Sequence, residues 1–147
     1  MTIRPVTHHK EDYLPLLLLG DEQESMIFRY LPRGTLYVLE EDGVKGVCVV
    51  TDEGDGILEI KNIAVDPAAQ RRGCGKAMVE FILRTYRGRY TILQVGTGDS
   101  PSTIPFYEAC GFVRSHIREN FFLDNYDHPI FEDGKQLIHM VCLRRPF

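Results

Sequence analysis

At 147 residues, 44% of them hydrophobic, the chain is long enough to bury a core and too apolar to be disordered. A net charge of -4 and a pI of about 5.7 argue against a nucleic-acid-binding surface. No apolar run is long enough to span a bilayer, and the start MTIRPVTHHKED is too polar for a signal peptide. Cys48, Cys74, Cys110 and Cys142 are scattered, without a Cys-x-x-Cys pair, as in a reduced compartment. His8, His9, His116, His128 and His139 show no metal-ligand spacing, so no metal is expected. A single cytoplasmic domain over residues 1–147 follows, with neither nucleic acid nor membrane as partner.

The chain reads as mixed α and β. MTIRPV suits a short first strand. Asp12 is placed as an N-cap for a helix with Pro15 in its first turn and Leu14, Leu17 and Leu18 on one face. DEQESMIFRYL predicts a second helix that stops before Pro32. TLYVLEEDGVKGVCVVT is a hairpin turning at Glu41-Asp42-Gly43. GILEIKNIAV is a further strand, and GKAMVEFILRTY a helix with Met78, Val79, Ile82 and Leu83 at helical spacing. YTILQV is a strand. STIPFYEACGF is a short helix, capped by Ser102, with Pro105 in its first turn and Gly111 at its end. Asn120 to Lys135, rich in aromatics, acids and turn residues, is expected to be a long loop, and LIHMVCL the last strand.

ILEIKNIAV does not keep one alternation. Leu58 and Ile60 are apolar on one parity, and Ile63 and Val65 on the other. An extra residue near Lys61-Asn62, a β-bulge, would return both pairs to one face. A strand buried on both faces accounts for the pattern equally well.

The following loop, Gln-Arg-Arg-Gly-Cys-Gly-Lys, lies where a strand hands over to a helix, a position that can offer bare N–H groups to an anion. It is not a Walker A loop, because Gln70 stands where glycine is needed and Ala77 where Ser or Thr is needed. It is not a dinucleotide fingerprint, because Met78 replaces the third glycine of GxGxxG. An anion cradle and an ordinary tight turn with solvated arginines both remain open from the loop alone.

VDPAAQRRGCGKAMVE resembles the acyl-CoA-binding motif of the GNAT superfamily of N-acetyltransferases, in which Gln70, Gly73 and Gly75 match the signature positions. FYEACGF resembles the second signature of that family, a helix that presents a tyrosine and ends at Gly-Phe. The element order also matches over nearly the whole chain, least well at Asn120 to Lys135. The resemblance implies an α+β fold: a central, mainly antiparallel twisted sheet flanked by helices, with the strands Ile57–Val65 and Tyr90–Val95 parallel and splayed. It implies acetyl-CoA as co-substrate. The amides of Arg71, Arg72, Gly73, Cys74, Gly75 and Lys76, with Gln70, would hold its pyrophosphate. The segment Ile63, Ala64 and Val65 would receive its pantetheine arm, with the Ile63 N–H on the thioester oxygen. Ser100 stands where many members carry an asparagine near the cofactor; by residue type alone it reads as a plain surface serine.

The same resemblance makes Glu59 the general base and Tyr107 the general acid. Read without it, Glu59 would pair with Lys61 or another cation on an exposed face, and Tyr107 would be a core tyrosine. Cys110, at a helix end where a thiolate is disfavoured, is structural. Phe121, Phe122, Tyr126 and Phe131 with Asp124, Asp127, Glu132 and Asp133, together with Asp21, Glu22 and Glu24, would form an acidic, aromatic rim suited to a small cationic amine. A solvated loop plugged onto the core by a few aromatics is the competing reading. The expected function is therefore acetyl transfer from acetyl-CoA to a primary amine, by a monomer or homodimer. The other readings are a CoA-binding regulatory domain, an acetyltransferase acting on a protein amine, and an unrelated nucleotide-binding module.

Overall fold

In the computed structural model, which describes all of residues 1–147, nine strands and five helices alternate irregularly. The strands are β1 (Thr2–Val6), β2 (Thr35–Glu40), β3 (Val44–Asp52), β4 (Ile57–Val65), β5 (Ile92–Gly98), β6 (Val113–Arg118), β7 (Ile130–Glu132), β8 (Lys135–Leu137) and β9 (Met140–Pro146). The helices are α1 (Leu14–Gly20), α2 (Glu24–Tyr30), α3 (Cys74–Tyr86), α4 (Ile104–Ala109) and α5 (Phe121–Asn125). Seven strands form one sheet in the order β1-β2-β3-β4-β5-β9-β6, and β7 and β8 pair separately. The β4–β5 pair is parallel and every other pair is antiparallel, as expected. The helix α3 makes the crossover that a parallel pair requires.

The sheet divides two cores. On one face Leu58, Ile60, Cys48, Val50, Leu93 and Leu143 pack against Met78, Val79, Ile82 and Tyr86 of α3 and against Ile104 and Tyr107 of α4. Burying each large aliphatic side chain of that stripe contributes about 1.5–3 kcal/mol. On the other face Leu36, Val38, Val47, Val49 and Ala64 meet Leu17 of α1 and Ile27 and Tyr30 of α2. Leu18, expected on the buried face of α1, is 37% exposed.

The bulge is real. Val49 pairs with Asn62 and Val50 with Ile60, so Lys61 is the extra residue of β4. Leu58 and Ile60 before it, and Ile63 and Val65 after it, accordingly all contact the α3 core.

Other expectations change. Asp12 caps nothing, because Lys10–Tyr13 form a 3-10 turn and α1 starts after Tyr13 without a side-chain cap. Thr103, not Ser102, precedes α4; Ser102 Oγ instead donates to Asp133 Oδ2 at 2.9 Å. Asn120 to Lys135 is not a long loop but carries α5 and β7, with β8 starting at its end. It has its own small core of Phe122, Ile130 and Leu137, which rests on the end of the sheet at Met140 of β9. The last strand runs Met140–Pro146, three residues further along than LIHMVCL suggests.

Candidate active site

The sheet opens between β4 and β5. The two pair only from Ile57 against Ile92 to Ile60 against Val95. Beyond this β5 stays with β9 as far as Gly98, and β4 stays with β3 as far as Val65. The Asp66 N–H donates to the Lys45 carbonyl at 2.7 Å, on the β3 side. Alternation along an antiparallel strand then turns the Ile63 and Val65 N–H groups into the gap and the Ala64 N–H toward β3. Ala64 therefore offers no amide to the gap, and its side chain packs with Val47 and Val49 on the α1–α2 face.

Below the gap the chain makes a tight turn. Asp66 Oδ1 accepts the Ala68 N–H at 2.9 Å, and Gln70 Nε2 donates to the Val65 carbonyl at 3.3 Å. Gln70 thus braces the loop with its side chain. Gly73, at φ 80°, is the N-cap of α3, and the Ala77 N–H makes the first intrahelical bond to its carbonyl at 2.9 Å. The N–H groups of Gly73 through Lys76 have no acceptor in the protein, as a helix start requires. Arg71, Arg72 and Lys76 are exposed beside them. Gly75 is needed for space, since a Cβ there would lie 3.0 Å from Phe106 Cζ. The Cys74 thiol is buried and donates to the Ala69 carbonyl at 3.7 Å, so Cys74 can present only its amide.

Beside the gap lies a cavity of about 580 Å³, and Glu59, Ile63 and Tyr107 all line it. Glu59 is buried among partners from three strands. Lys61 Nζ is 2.6 Å from its Oε2, Arg118 Nη2 is 3.7 Å from its Oε1, and Gln94 Nε2 donates to Oε1. Arg144 Nε in turn donates to Gln94 Oε1 at 2.7 Å. The pairing with Lys61 anticipated for an exposed face therefore occurs in a buried one, where Glu59 is only 4% exposed. Tyr107 is held by edge-on contacts with Phe106 and Phe112, and its hydroxyl has no hydrogen-bond partner in the protein. Burial pushes its phenol well above the ordinary value, so it stays protonated.

Ser100 is not a surface serine. It is 2% exposed, and its Oγ accepts the Ser102 N–H at 3.2 Å and lies 2.9 Å from Ser102 Oγ. Its hydroxyl closes the turn before α4 and is not among the cavity-lining groups.

Opposite β4, the cavity wall comes from the α1–α2 connection and the α5 region. Asp21 Oδ2 accepts from Tyr30 at 2.9 Å and Oδ1 from Tyr126 at 2.6 Å, while Asn62 Nδ2 donates to the Tyr30 hydroxyl at 3.1 Å. Arg29 to Asn125 Oδ1 (2.9 Å) and the Asp127 N–H to Gln23 Oε1 (3.0 Å) complete this closure. Burial raises the Asp21 carboxyl, and the two tyrosine bonds offset part of that rise. The aromatics Phe121, Phe122, Tyr126 and Phe131 line the cavity as expected, with the acids Asp21, Glu22 and Glu132. Asp124, Asp127, Asp133 and Glu24 do not. Four cations do, Arg29, Arg33, Lys61 and Arg118, so the lining is not simply acidic. Gln94, Asn62 and Arg118 are polar groups of the site that sequence reasoning gave no role; Gln94 interrupts the apolar run ILQV, while Asn62 was read only as part of the bulge.

A parallel pair that splays beside a bulge, next to a helix with free N-terminal amides, is the framework of an acyl-CoA-binding domain. The chain belongs to the GNAT family of acetyltransferases: the family's acetyltransferase domain model matches residues 32–114. The uncharacterized N-acetyltransferase YvbK of Bacillus subtilis is 35% identical over 136 residues, covering 90% of this chain and 88% of that protein. A GNAT family acetyltransferase from Elizabethkingia anophelis, solved with acetyl-CoA bound, superposes with a TM-score of 0.93 at 34% identity, over 99% of this chain and 97% of that one. The ribosomal protein bS18 alanine N-acetyltransferase of Escherichia coli is 36% identical over 76 residues, half of this chain and 49% of its own.

Proposed function

We propose that this protein transfers an acetyl group from acetyl-CoA to the primary amine of a small molecule by direct attack in a ternary complex. The observation that carries the reading is that Glu59, the Ile63 amide and Tyr107 converge on one cavity at the mouth of the β4–β5 gap. The residues present fit acetyl-CoA: free amides at Gly73 through Lys76, with Arg71 and Arg72 beside them, match a pyrophosphate, and the Ile63 and Val65 amides match an extended arm. Acetyl-CoA supplies an activated acyl group and a thiol leaving group.

The chain supplies the rest. An alkylammonium with a pKa of about 10.4 must lose a proton before it attacks, at a cost of roughly 4–5 kcal/mol at neutral pH. Glu59 receives that proton. Both its oxygens already have partners, so the transfer runs through a water or displaces the long Arg118 contact. The new N–C bond forms as the Ile63 N–H holds the oxygen that becomes negative. The C–S bond breaks as Tyr107 gives its hydroxyl proton to sulfur, and the second proton, which the nitrogen sheds as the amide forms, returns through water to the Tyr107 oxygen. The unpartnered hydroxyl leaves Tyr107 free to donate, while burial makes it a weaker acid than an exposed phenol, so the proton moves late, as the C–S bond breaks. Ser100 supports this site through the turn before α4 and through its hydroxyl contact with the lining acid Glu132.

The second reading, a protein amine as acceptor, is favoured by the likeness to the bS18 alanine N-acetyltransferase. The Asp21–Tyr126 and Gln23–Asp127 contacts count against it, because they wall off the cavity where an extended chain would pass. The test is thiol release from acetyl-CoA with a panel of small amines and N-terminal peptides, with the acetylated products identified by mass. Small amines are expected to react. Reaction with peptides alone would establish the second reading, and acetyl-CoA binding without turnover would leave a regulatory domain.

A further inference from the structure

The cavity lining as a whole is balanced, Arg29, Arg33, Lys61 and Arg118 against Asp21, Glu22, Glu59 and Glu132, but its positive charge gathers on the sheet face beneath the reacting end. On the sheet face that holds Glu59, the cations Arg33, Lys61, Arg118 and Arg144 surround two carboxylates, Glu53 and Glu59. Arg33 pairs with Glu53 at 3.0 Å, and Lys61 bridges Glu59 at 2.6 Å and Glu53 at 3.7 Å. Arg144 is held by the neutral Gln94. That leaves Arg118. Its single ionic contact, at 3.7 Å to Glu59, is too long for a hydrogen bond, and its guanidinium donates to no acceptor in the protein. It nevertheless lines the cavity, from the edge strand β6. An arginine fork with no partner at the wall of a binding cavity is built to take a carboxylate or similar oxyanion.

We infer that the acceptor carries an anionic group beside its amine, held by the Arg118 guanidinium, so that the substrate class is a short zwitterion such as an amino acid. This rests on the acetyltransferase reading above. Two features set the spacing and the body of the molecule. Glu59, which takes the ammonium, and Arg118 are neighbours, so the amine and the anion must be separated by only a few bonds. An anion placed there also satisfies the surplus positive charge that an ordinary amine would leave or worsen. Beyond them the wall is Phe121, Phe122, Tyr126 and Phe131, which suits an apolar or aromatic side chain. A purely cationic amine would find Asp21, Glu22 and Glu132, but would have to lie against unneutralised cations at the reacting end.

The experiment compares matched acceptors by thiol release with the full-length protein: L-phenylalanine against phenethylamine, L-leucine against isoamylamine, and L-methionine against 3-(methylthio)propylamine. Losing one charge-assisted pair should cost about 10-fold or more in kcat/KM, so the amino acid of each pair is expected to be preferred by at least that factor. Arg118→Met should collapse the ratio toward one, and Arg118→Lys should keep part of it. Decarboxylated amines reacting as well as or better than the amino acids would overturn the inference alone, as would an undiminished ratio in a folded Arg118→Met. Thiol release with neither set would overturn the small-molecule acceptor reading, and this inference with it.

Discussion

Lys61, the residue that the bulge inserts into β4, places its Nζ 2.6 Å from Glu59 Oε2. A regular strand would turn Lys61 and Asn62 to opposite faces. The bulge lets Lys61 fold over Glu59 while Asn62 reaches the Leu17 carbonyl and Tyr30 on the same side of the sheet. One inserted residue thus fixes Glu59, its counter-ion and the amides beside the gap.

Glu59→Gln keeps the shape and removes the proton acceptor. We expect kcat/KM at neutral pH to fall by about 10²-fold or more, with recovery as the pH approaches the acceptor's own pKa. The pH–rate profile is the measurement, and a profile parallel to the parent's would make Glu59 structural. A modest loss of stability should accompany it, on the order of 2 kcal/mol, because Lys61 keeps only the longer contact with Glu53.

Tyr107→Phe removes a hydroxyl that bonds to nothing in the protein, so Tm should change little. Loss of a general acid is typically worth about 10²–10⁴ in rate. The effect on kcat should be largest for weakly basic amines, whose departure competes with that of the thiol. Acetyl-CoA affinity by calorimetry should be nearly unchanged. A kcat within about twofold of the parent for strong and weak nucleophiles alike would return Tyr107 to the core.

Much of this site was legible in particular residues. The parity break between Ile60 and Ile63 announced the bulge, because burial on one face demands alternation. Gly73 and Gly75 announced the loop, and Tyr107 the second motif. The rest was hidden for physical reasons. VRSHIR is an edge strand exposed along most of its length, so β6 has no hydrophobic period to read, and Arg118 went unseen with it. The segment Asn120 to Lys135 buries its aromatics largely on one another, in a small core that meets the sheet only at its end, which blurs any period. The Asp21–Tyr126 bond joins residues 105 apart, and no local pattern encodes it.

Gly75 couples the start of α3 to α4. A Cβ at Gly75 meets the ring of Phe106, which packs on Tyr107 with centroids 5.2 Å apart. Gly75→Ala should therefore lower Tm, and Phe106→Leu in the same chain should restore part of it by opening space. Gly75→Glu adds a negative charge beside the free amides and should weaken acetyl-CoA binding strongly. Unchanged affinity in a folded Gly75→Glu variant, by calorimetry, would remove this loop from the site.

Asp21 and Glu53 should give opposite pH signatures in stability. Burial raises the Asp21 carboxyl above the ordinary value, so the folded protein binds that proton more tightly than the unfolded chain does. Its stabilising share is therefore present at low pH and is lost as pH rises through the raised folded value. Burial also pushes Glu53 up, but the Thr51 hydroxyl and the charges of Lys61 and Arg33 overcome it and hold the group below the usual range. The Glu53 contribution is present above the unfolded value and is lost as pH falls through the depressed folded one. Melting temperatures of Asp21→Asn and Glu53→Gln, each minus the parent's, cancel the acid response common to all three chains. The Asp21→Asn difference should grow more positive as pH rises from about 4, where ordinary carboxyls titrate, through the raised value of Asp21. The Glu53→Gln difference should grow more negative as pH rises toward the ordinary range, then level off. A flat Asp21→Asn difference would mean that the favourable hydrogen bonds fully offset the burial of the charge, and that Asp21 titrates alike in the folded and unfolded chains.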